Sequence, residues 1–351
     1  MKGASRSKYQ FFITYRNAIT ASAASKPLLD TKETLSALGY KDCSLAFDND
    51  RKTVGYYVSV LTNFLKFFFK LDRGSLVATQ YPIPTVGYLF IYFIRLAAFK
   101  GVKFITIIHD INSLRSEKPS TKDLRKELRM LSAYDGIVVH NNRMKEWLIE
   151  KGLNRLTKTV SLNFFDYISA TAIKSKYSSG STNEIAFAGH LAKSTFVYNL
   201  AHVKKWKFNV YGTGFQPGHN KNVNTTWKGE FSPDEIVDNL KGSFGLVWDG
   251  ADSNSITTNT FGNYMRYNNP FKFSLYLAAG LPVIAPSSAA IANTIIENKI
   301  GLVIETLDSL DNIEIKERDY EEMRENVKAI QKDIIKGNYL RKAIENLEQV
   351  I

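Results

Sequence analysis

Short apolar runs alternate with amphipathic stretches of helical period along the first 150 residues of the chain. The apolar runs, rich in β-branched and aromatic side chains, predict strands at residues 9–15, 45–47, 75–79, 102–109 and 136–140. The amphipathic stretches predict helices at residues 26–38, 54–71, 85–100, 122–133 and 142–151. Because strands and helices follow one another regularly, we expect a parallel sheet that helices cover on both faces.

The same alternation restarts after a polar interval, ATAIKSKYSSGSTN at residues 170–183, whose small residues without apolar period are typical of a linker. Further strands are predicted at residues 184–188, 207–211, 244–247, 282–285 and 301–304, and helices at 196–203, 233–240, 271–279 and 289–297. We therefore expect an α/β protein with an N-terminal domain, a linker, a C-terminal domain and a final helix that packs back on the first domain, at residues 1–170, 171–183, 184–335 and 336–351.

Composition narrows the class of protein. A chain of 351 residues with 44% hydrophobic and 23% charged residues suits two globular domains. One cysteine, Cys43, excludes an internal disulfide framework and a multi-thiolate metal site, which agrees with a reducing cytoplasm. The basic N-terminal residues run into a predicted strand without the apolar core of a signal peptide, so we expect a cytoplasmic protein.

The positive charge is concentrated in the first half. Residues 1–180 hold 28 Lys and Arg against 14 Asp and Glu, whereas the remainder carries a net charge of −2. This excess suits an anionic partner, which would be nucleic acid, a phospholipid surface or a phosphate-bearing acceptor; a basic surface that serves only solubility is the alternative. The most apolar stretch, residues 83–99, contains Pro84 and Arg95 and predicts a buried or interfacial helix rather than a membrane span.

Several catalytic motifs are absent from the sequence. It contains no phosphate-binding loop of the G-x-x-x-x-G-K-[ST] type, no G-x-S-x-G elbow, no H-E-x-x-H and no paired-thiolate zinc spacing. The nearest approach to a metal-binding D-x-D pair, Asp48 and Asp50, falls in a polar loop, where solvated charge is the simpler interpretation. We therefore expect neither a bound metal nor another cofactor.

Candidate ligand-binding residues follow two predicted strands of the second half. Gly189 and Lys193 come after the strand at 184–188, and Tyr211 and Gly212 end the strand at 207–211. Ligands of open parallel sheets bind beyond the carboxyl ends of the strands, where Lys193 would reach a phosphate and Gly212 would let the backbone approach a ligand. Ordinary tight turns explain the glycines equally well.

Two further candidates lie at helix starts. Lys272 falls in the first turn of the helix predicted from residue 270 or 271, where a cation opposes the helix dipole and therefore needs a nearby anion. A solvated lysine is the alternative. Ser232 is explained as the N-cap of a helix that begins at Pro233, so Phe231 before it is left as a stacking surface for a base.

The first half offers polar candidates as well. His109 and Asp110 end the strand at 102–109 and would act as general acid or base or orient an acceptor; Asp110 would equally well cap the next turn. The small polar stretch around Ser22, after the first strand, would approach a donor phosphate or form an ordinary loop.

These segments together resemble one family. The segments G-x-x-x-K, F-G-L-V-W-D-G and Y-N-N-P-x-K-x-S-L-Y-L-A-A-G-L-P-V-I, with I-H-D-I in the first half, resemble the bacterial GT-B galactofuranosyltransferases. They are also similar to the glucosyltransferases that extend the first GlcNAc on serine-rich adhesins. The resemblance spans nearly the whole chain and implies a GT-B fold, in which two Rossmann-like domains with parallel sheets face a central cleft.

The resemblance also implies a UDP-sugar substrate held without metal, and a homo-oligomer. The residues that it assigns to the donor are Phe231 near the uracil, Lys193 and Lys272 on the diphosphate, and Asn268, Phe273 and Tyr276 along the pocket. One position departs from the wider superfamily: Leu275 stands where many retaining enzymes carry a ribose-binding glutamate, five residues before Gly280.

We therefore expect transfer of a hexose from UDP-galactofuranose or UDP-glucose to a cell-surface polysaccharide precursor, a lipid-linked oligosaccharide or a protein-linked glycan. The basic first domain would hold the acceptor peripherally at an anionic membrane surface, on the inner face of the cell membrane. The alternative is a non-catalytic GT-B-like partner that binds glycan or chaperones another glycosyltransferase, which Leu275 and the lack of a clear base keep open. Nucleic-acid binding has no recognition helix or aromatic pattern to support it.

Overall fold

The computed structural model describes residues 6–15, 25–47, 53–83, 87–118, 120–169, 183–250, 252–257 and 259–351. It divides into two compact units. The N-terminal unit holds Met1–Leu162 together with Leu340–Ile351, and the C-terminal unit holds Asn163–Tyr339. Among the predicted features, Ser22, the pair Asp48 and Asp50, and nearly all of the linker lie outside the described residues.

The N-terminal unit is built on a parallel sheet. Its strands are β1 (Lys8–Gln10), β2 (Ile13–Tyr15), β3 (Lys41–Asp42), β4 (Leu45–Phe47), β5 (Leu76–Tyr81), β6 (Lys103–Ile108), β7 (Gly136–Val139) and β8 (Lys158–Ser161). The main sheet has the order β3-β1-β5-β6-β7-β8, while β2 pairs with β4 in a separate parallel ribbon. The strand order reverses between β1 and β5, which makes that point the topological switch of this sheet.

The helices of this unit follow the predicted order. They are α1 (Lys26–Ala37), α2 (Val54–Lys70), α3 (Gly87–Ala98), α4 (Asn112–Arg115), α5 (Thr121–Leu131) and α6 (Asn142–Glu150). Side-chain caps begin three of them: Thr53 accepts a hydrogen bond from Tyr56 N, Ser120 from Lys122 N, and Asn141 from Met144 N. Within the described residues, no helix combines the length and apolar character needed to cross a bilayer.

The C-terminal unit repeats the design with a second parallel sheet. Its strands are β9 (Glu184–Ala188), β10 (Lys207–Tyr211), β11 (Thr225–Trp227), β12 (Phe244–Leu246), β13 (Val283–Pro286) and β14 (Gly301–Ile304). Its helices are α7 (Pro233–Asn239), α8 (Thr260–Tyr264), α9 (Phe271–Ala278), α10 (Ala292–Asn298) and α11 (Glu317–Ile334). The order β11-β10-β9-β12-β13-β14 is the doubly wound arrangement of dinucleotide-binding domains, with its switch point between β9 and β12.

The last helix, α12 (Asn338–Glu348), packs on the N-terminal unit, as predicted. The Glu348 carboxylate accepts hydrogen bonds from Lys8 Nζ at 2.7 Å and from Tyr40 Oη at 2.7 Å. Leu347 fills the space beside Gly136, where an added Cβ would lie 2.8 Å from Leu347 Cδ1. The end of the chain is therefore part of the core that supports β1 and β7.

Some predicted elements differ from the structure. The helix expected at residues 196–203 is a 3₁₀ turn, Thr195–Tyr198, and the strand expected at 9–15 is divided into β1 and β2. The short strands β3, β8 and β11 were not predicted, because their two to four residues show no sustained apolar run. The alternation of strand and helix, and hence the fold class, is confirmed.

Candidate functional site

The switch point of the C-terminal sheet lies where β9 and β12 end. Ligands of doubly wound sheets bind in the crevice outside the carboxyl ends of such neighbouring strands. The strand β9 ends at Ala188 and leads into Gly189, and β12 ends at Leu246 and leads through Trp248 to Asp249. The chain topology alone therefore selects these residues as the start of a candidate site.

Lys272 occupies this position in the first turn of α9. Its Nζ lies 2.6 Å from Asp249 Oδ1, 3.2 Å from the Trp248 carbonyl oxygen and 4.7 Å from the centroid of the Phe187 ring. The two charged side chains are 15% and 30% exposed, so water screens the pair incompletely. The anion that the sequence required near Lys272 is thus supplied within the protein by Asp249.

Two glycines bring the ends of β9 and β10 together. Gly212 has a φ of +123°, and an added Cβ would lie 2.0 Å from the Gly189 carbonyl oxygen, so no other residue fits there. The Gly189 N–H donates to the Tyr211 carbonyl oxygen at 3.0 Å, and the Gly212 N–H donates to the Gly229 carbonyl oxygen at 2.9 Å. Close backbone packing explains both glycines, and their contact with a ligand stays a prediction.

Lys193 lies exposed in the turn that follows β9. Its N–H donates to the His190 carbonyl oxygen at 2.9 Å, and its side chain is not drawn into the protein. Lys193 is therefore accessible to a ligand. The described residues do not hold its ammonium group in one position. Its predicted contact with a diphosphate stays a prediction.

Three predicted aromatic residues are buried. The Tyr276 hydroxyl accepts a hydrogen bond from Ala188 N at 2.8 Å, and the Tyr211 hydroxyl accepts one from Lys241 N at 2.8 Å. Phe273 stacks on Phe164 with ring centroids 5.5 Å apart. Burial raises the pKa of the Tyr276 hydroxyl well above its ordinary value, so this side chain acts as a neutral hydrogen-bond partner that fixes the end of β9.

Asn268 has a side-chain acceptor without a partner among the described residues, and Phe231 has a ring that is only partly buried. Asn268 Oδ1 is buried and has no hydrogen-bond partner within the described part of the chain. Leaving a buried acceptor unsatisfied costs about 1–3 kcal/mol, so this oxygen is suited to a donor from a ligand or water. Phe231 is half-buried beside Tyr211, at a centroid distance of 6.2 Å. It precedes Ser232, the predicted N-cap, which forms a capping box with Glu235.

The predicted catalytic pair belongs to the N-terminal unit and follows β6. Gln80 Nε2 donates to the Leu28 carbonyl oxygen at 3.2 Å, and Gln80 Oε1 lies 2.9 Å from His109 Nε2. Because an amide oxygen only accepts, the ring proton of His109 is on Nε2 and the lone pair is on Nδ1. Burial lowers the pKa of His109 to about 4, so the ring is neutral at neutral pH and is a weak base.

The surroundings of His109 include a second histidine. His140, after β7, lies with Nε2 3.1 Å from the Ile108 carbonyl oxygen and therefore donates to it. Burial, and after it the neighbouring His109, lowers the pKa of His140 to about 3. Asp110 forms an ion pair with Arg115. This ion pair is a structural role for Asp110, and catalysis by either residue of the predicted pair stays a prediction.

A cavity of about 510 Å³ opens beside the end of β5 in the same unit. The residues that line it are Tyr81, Pro82, Ile83, Ile91, Asn112, Ser113, Ser116, Ser120, Asp123, Lys126, Glu127 and Met130. The Glu127 carboxylate organises one wall, because it accepts from Tyr81 Oη, Asn112 N and Ser113 N, each at 2.8 Å. Short polar side chains beside apolar ones suit a ligand that carries several hydroxyl groups.

Sequence reasoning missed Asp249, Gln80, His140 and Glu127. Each acts through a partner more than ten residues away: Asp249 is 23 residues from Lys272, and Gln80 is 29 from His109. The motif F-G-L-V-W-D-G did contain Asp249, and its place after a buried strand was the signal available. Glu127 sits in a helix of ordinary amphipathic pattern, which gave no signal.

Solved structures share this architecture. An alpha,alpha-trehalose 6-phosphate synthase from Burkholderia multivorans covers 98% of this chain and 99% of its own length with a TM-score of 0.59 and 9% identity. The UDP-forming alpha,alpha-trehalose-phosphate synthase of Burkholderia vietnamiensis covers 98% and 100%, with a TM-score of 0.56 and 9% identity. At such identity the likeness shows the fold alone, and that fold is the GT-B fold of glycosyltransferases.

Sequence comparison defines the family. Models of the glucosyltransferase 3-like N-terminal and C-terminal domains match residues 10–164 and 185–347. Beta-1,6-galactofuranosyltransferase WbbI of Escherichia coli is 30% identical over 290 residues, 80% of this chain and 81% of the relative. Glucosyltransferase 3 of Streptococcus gordonii is 27% identical over 250 residues, 69% of this chain and 70% of the relative. The chain belongs to the glucosyltransferase 3-like family and is a glycosyltransferase, which confirms the predicted resemblance and function class.

Proposed function

We propose that this chain transfers a hexose from a UDP-sugar, UDP-galactofuranose or UDP-glucose, to a glycan or lipid-linked oligosaccharide acceptor without a metal ion. The observation that carries the donor site is the pair of Lys272 and Asp249 at the switch point of the C-terminal sheet, together with Asn268 Oδ1, left unsatisfied by the described residues, in the loop that leads into α9. The activities for which the two relatives are named support these sugars: one is a galactofuranosyltransferase and the other a glucosyltransferase.

The chemistry of Lys272 supports a diphosphate ligand. Its ammonium group has three N–H donors, of which the Asp249 carboxylate and the Trp248 carbonyl oxygen accept two. One donor therefore stays available to a phosphate oxygen. The first-turn backbone N–H groups of α9 add the positive end of the helix dipole at the same place. The remaining N–H donor of Lys272, whose charge Asp249 partly compensates, and the dipole of α9 would together stabilise the leaving diphosphate, and we propose that the reaction needs no metal ion.

For the acceptor we propose the cavity beside β5. Sugar hydroxyl groups would hydrogen-bond to Asn112, Ser113 and Asp123, and the apolar carbons of the ring would lie on Pro82 and Met130. Ser116→Trp would fill this cavity without removing a core contact, because Ser116 is exposed. We expect a higher acceptor KM with unchanged UDP-sugar hydrolysis; an unchanged acceptor KM would exclude the cavity.

We propose that the chain works in the cytoplasm as a homo-oligomer, peripherally on the inner face of the cell membrane, and that it binds no nucleic acid. The basic excess of residues 1–180 supports the anionic surface. Light scattering of the purified protein measures its oligomeric state. A filter-binding assay with RNA and DNA tests whether it binds nucleic acid.

The first experiment is calorimetry with UDP, GDP, CMP and ADP, and then with UDP-glucose, UDP-galactopyranose and UDP-galactofuranose, each with and without EDTA. Selective binding of UDP that EDTA does not change, with hydrolysis of one UDP-sugar, supports the metal-independent transferase and ranks the donors. The absence of nucleotide binding would overturn the donor site and favour a non-catalytic partner of another glycosyltransferase.

A further inference from the structure

Helix α2 carries two apolar stripes, and the core uses one of them. Tyr56, Val60, Phe64 and Phe67 are buried, and Phe64 and Phe67 contact Phe11 with ring centroids 6.0 and 4.7 Å apart. Their spacing of four, four and three residues is that of a helix seated on a sheet. This stripe alone accounts for the attachment of α2 to the N-terminal unit.

The second stripe faces solvent. Its members are Val54, Val58, Leu61, Leu65 and Phe69, which recur every three or four residues along one side of the helix. They are 48% to 82% exposed. The stripe runs about 22 Å along the helix, since each residue rises about 1.5 Å. A solvent-facing side of a helix is normally polar, and because these side chains stay exposed, packing in the core does not account for them.

Helix α3 enlarges the apolar surface. Phe93 of α3 lies 5.1 Å from Phe64 of α2, ring centroid to ring centroid, so the helices are neighbours in one layer. On the outer side of α3 and its C-terminal turn, Tyr92, Leu96 and Phe99 are 61%, 43% and 85% exposed. We call the eight exposed side chains of α2 and α3 the apolar face. Exposed apolar side chains on two neighbouring helices are typical of an interaction site.

The segment of chain that carries the apolar face is strongly basic. Residues 53–103 contain six basic residues and one acidic residue, Asp72. Lys66, Lys70 and Arg95 are exposed on α2 and α3. Lys100 donates from Nζ to the Phe68 carbonyl oxygen at 2.9 Å and lies 4.9 Å from the centroid of the Phe68 ring. The apolar face is therefore bordered by long cationic side chains.

The combination of exposed apolar side chains and neighbouring positive charge indicates what binds to the apolar face. Two copies of the chain that met through this face would bring the same positive charges together, which opposes association. An anionic lipid surface instead accepts the apolar side chains among its acyl chains and pairs its phosphates with lysine and arginine. We propose that the apolar face docks the N-terminal unit onto an anionic membrane surface. The proposal rests on the proposed function in one respect, since docking on the membrane would bring the enzyme to a lipid-linked acceptor.

The test is co-sedimentation of the full chain with vesicles of phosphatidylcholine and phosphatidylglycerol, and with vesicles of phosphatidylcholine alone. We expect binding to the anionic vesicles that high salt weakens. A triple variant, Leu61→Ser, Leu65→Ser and Phe69→Ser, should weaken it by at least about tenfold, because each change removes a side chain that inserts. Lys66→Gln with Lys70→Gln should reduce the preference for anionic vesicles.

The matched control is Leu156→Ser, since Leu156 is 80% exposed in the same unit but precedes the edge strand β8. Equal loss in the control and the triple variant would overturn the assignment to the apolar face, as would a wild-type chain that stays in solution with both vesicles. A dimer that the triple variant dissociates, without vesicle binding, would replace the membrane by a second copy. UDP binding is measured in parallel without vesicles, so failure of the donor site is seen separately.

Discussion

Replacing Lys272 by methionine separates two roles of its side chain. Methionine keeps the unbranched shape in α9 and removes the ammonium group that contacts Asp249 Oδ1 at 2.6 Å. If the available N–H donor holds a diphosphate oxygen, its loss costs about 1.5–3 kcal/mol of binding free energy, which raises the Kd of UDP about ten- to hundredfold.

The same change also affects stability. It leaves the Asp249 carboxylate, 30% exposed, without its cationic partner. We expect the free energy of unfolding to fall by about 1–2 kcal/mol, between the values for surface and buried ion pairs. Lys272→Met with Asp249→Asn removes both charges and should recover most of this stability. The two variants together distinguish loss of a ligand contact from loss of an internal ion pair.

The assays are calorimetric titration of UDP and urea unfolding of the wild type, both single variants and the double variant. The reasoning holds if the double variant regains stability while its affinity for UDP stays low. Recovery of UDP affinity in the double variant would refute a direct contact between Lys272 and the diphosphate, because the single variant would then have acted through an unpaired Asp249. Lys193→Ala, which breaks no described side-chain contact, should weaken UDP by about 1.5–3 kcal/mol without changing stability.

Three further predictions concern stability. Burial lowers the pKa values of His109 and His140 to about 4 and 3, so below pH 6.5 the unfolded chain binds more protons than the folded chain. The melting temperature should therefore be level above pH 6.5 and fall as the pH decreases towards 4. This fall should be less steep in His140→Asn. Gly212→Ala should lower the free energy of unfolding by at least about 2 kcal/mol in urea titration, whereas Gly218→Ala, with open space around its Cβ, should be neutral. Tyr276→Phe should cost about 1–2 kcal/mol by the same titration and release the Ala188 amide to hydrogen exchange; an amide that stays protected would contradict this.

The sequence predicted the fold class because its signals are local. Apolar runs such as residues 102–109 contain enough β-branched residues to specify a buried strand without knowledge of their neighbours. Topology alone puts Gly189 beyond a strand end and Lys272 at a helix start, so the sequence is sufficient to nominate both as candidate site residues. The predicted site is incomplete where a side chain meets a partner far along the chain, as Lys272 meets Asp249.

The two stripes of α2 show a different limit. The helix is apolar around most of its circumference, so periodicity predicts the helix but leaves open which stripe the core takes. Packing decides this, because Phe64 and Phe67 face the aromatic cluster around Phe11. The sequence predicts a buried or interfacial helix at residues 83–99, and the structure has both buried and exposed apolar side chains there, whereas the longer exposed stripe belongs to α2.

The strand ends of the C-terminal unit are held from within the core. Gly245 in β12 has no side chain because Tyr276 occupies that space; an added Cβ would lie 2.1 Å from Tyr276 Cγ. The Tyr276 hydroxyl then accepts the Ala188 N–H at the last residue of β9, one residue before Gly189. Since Lys272 lies one helical turn before Tyr276 on α9, the same helix fixes both the ammonium group and the strand end. If Tyr276→Phe weakens UDP binding and also exposes the Ala188 amide to hydrogen exchange, Tyr276 acts by positioning the end of β9. If the Ala188 amide stays protected from exchange, this explanation is wrong.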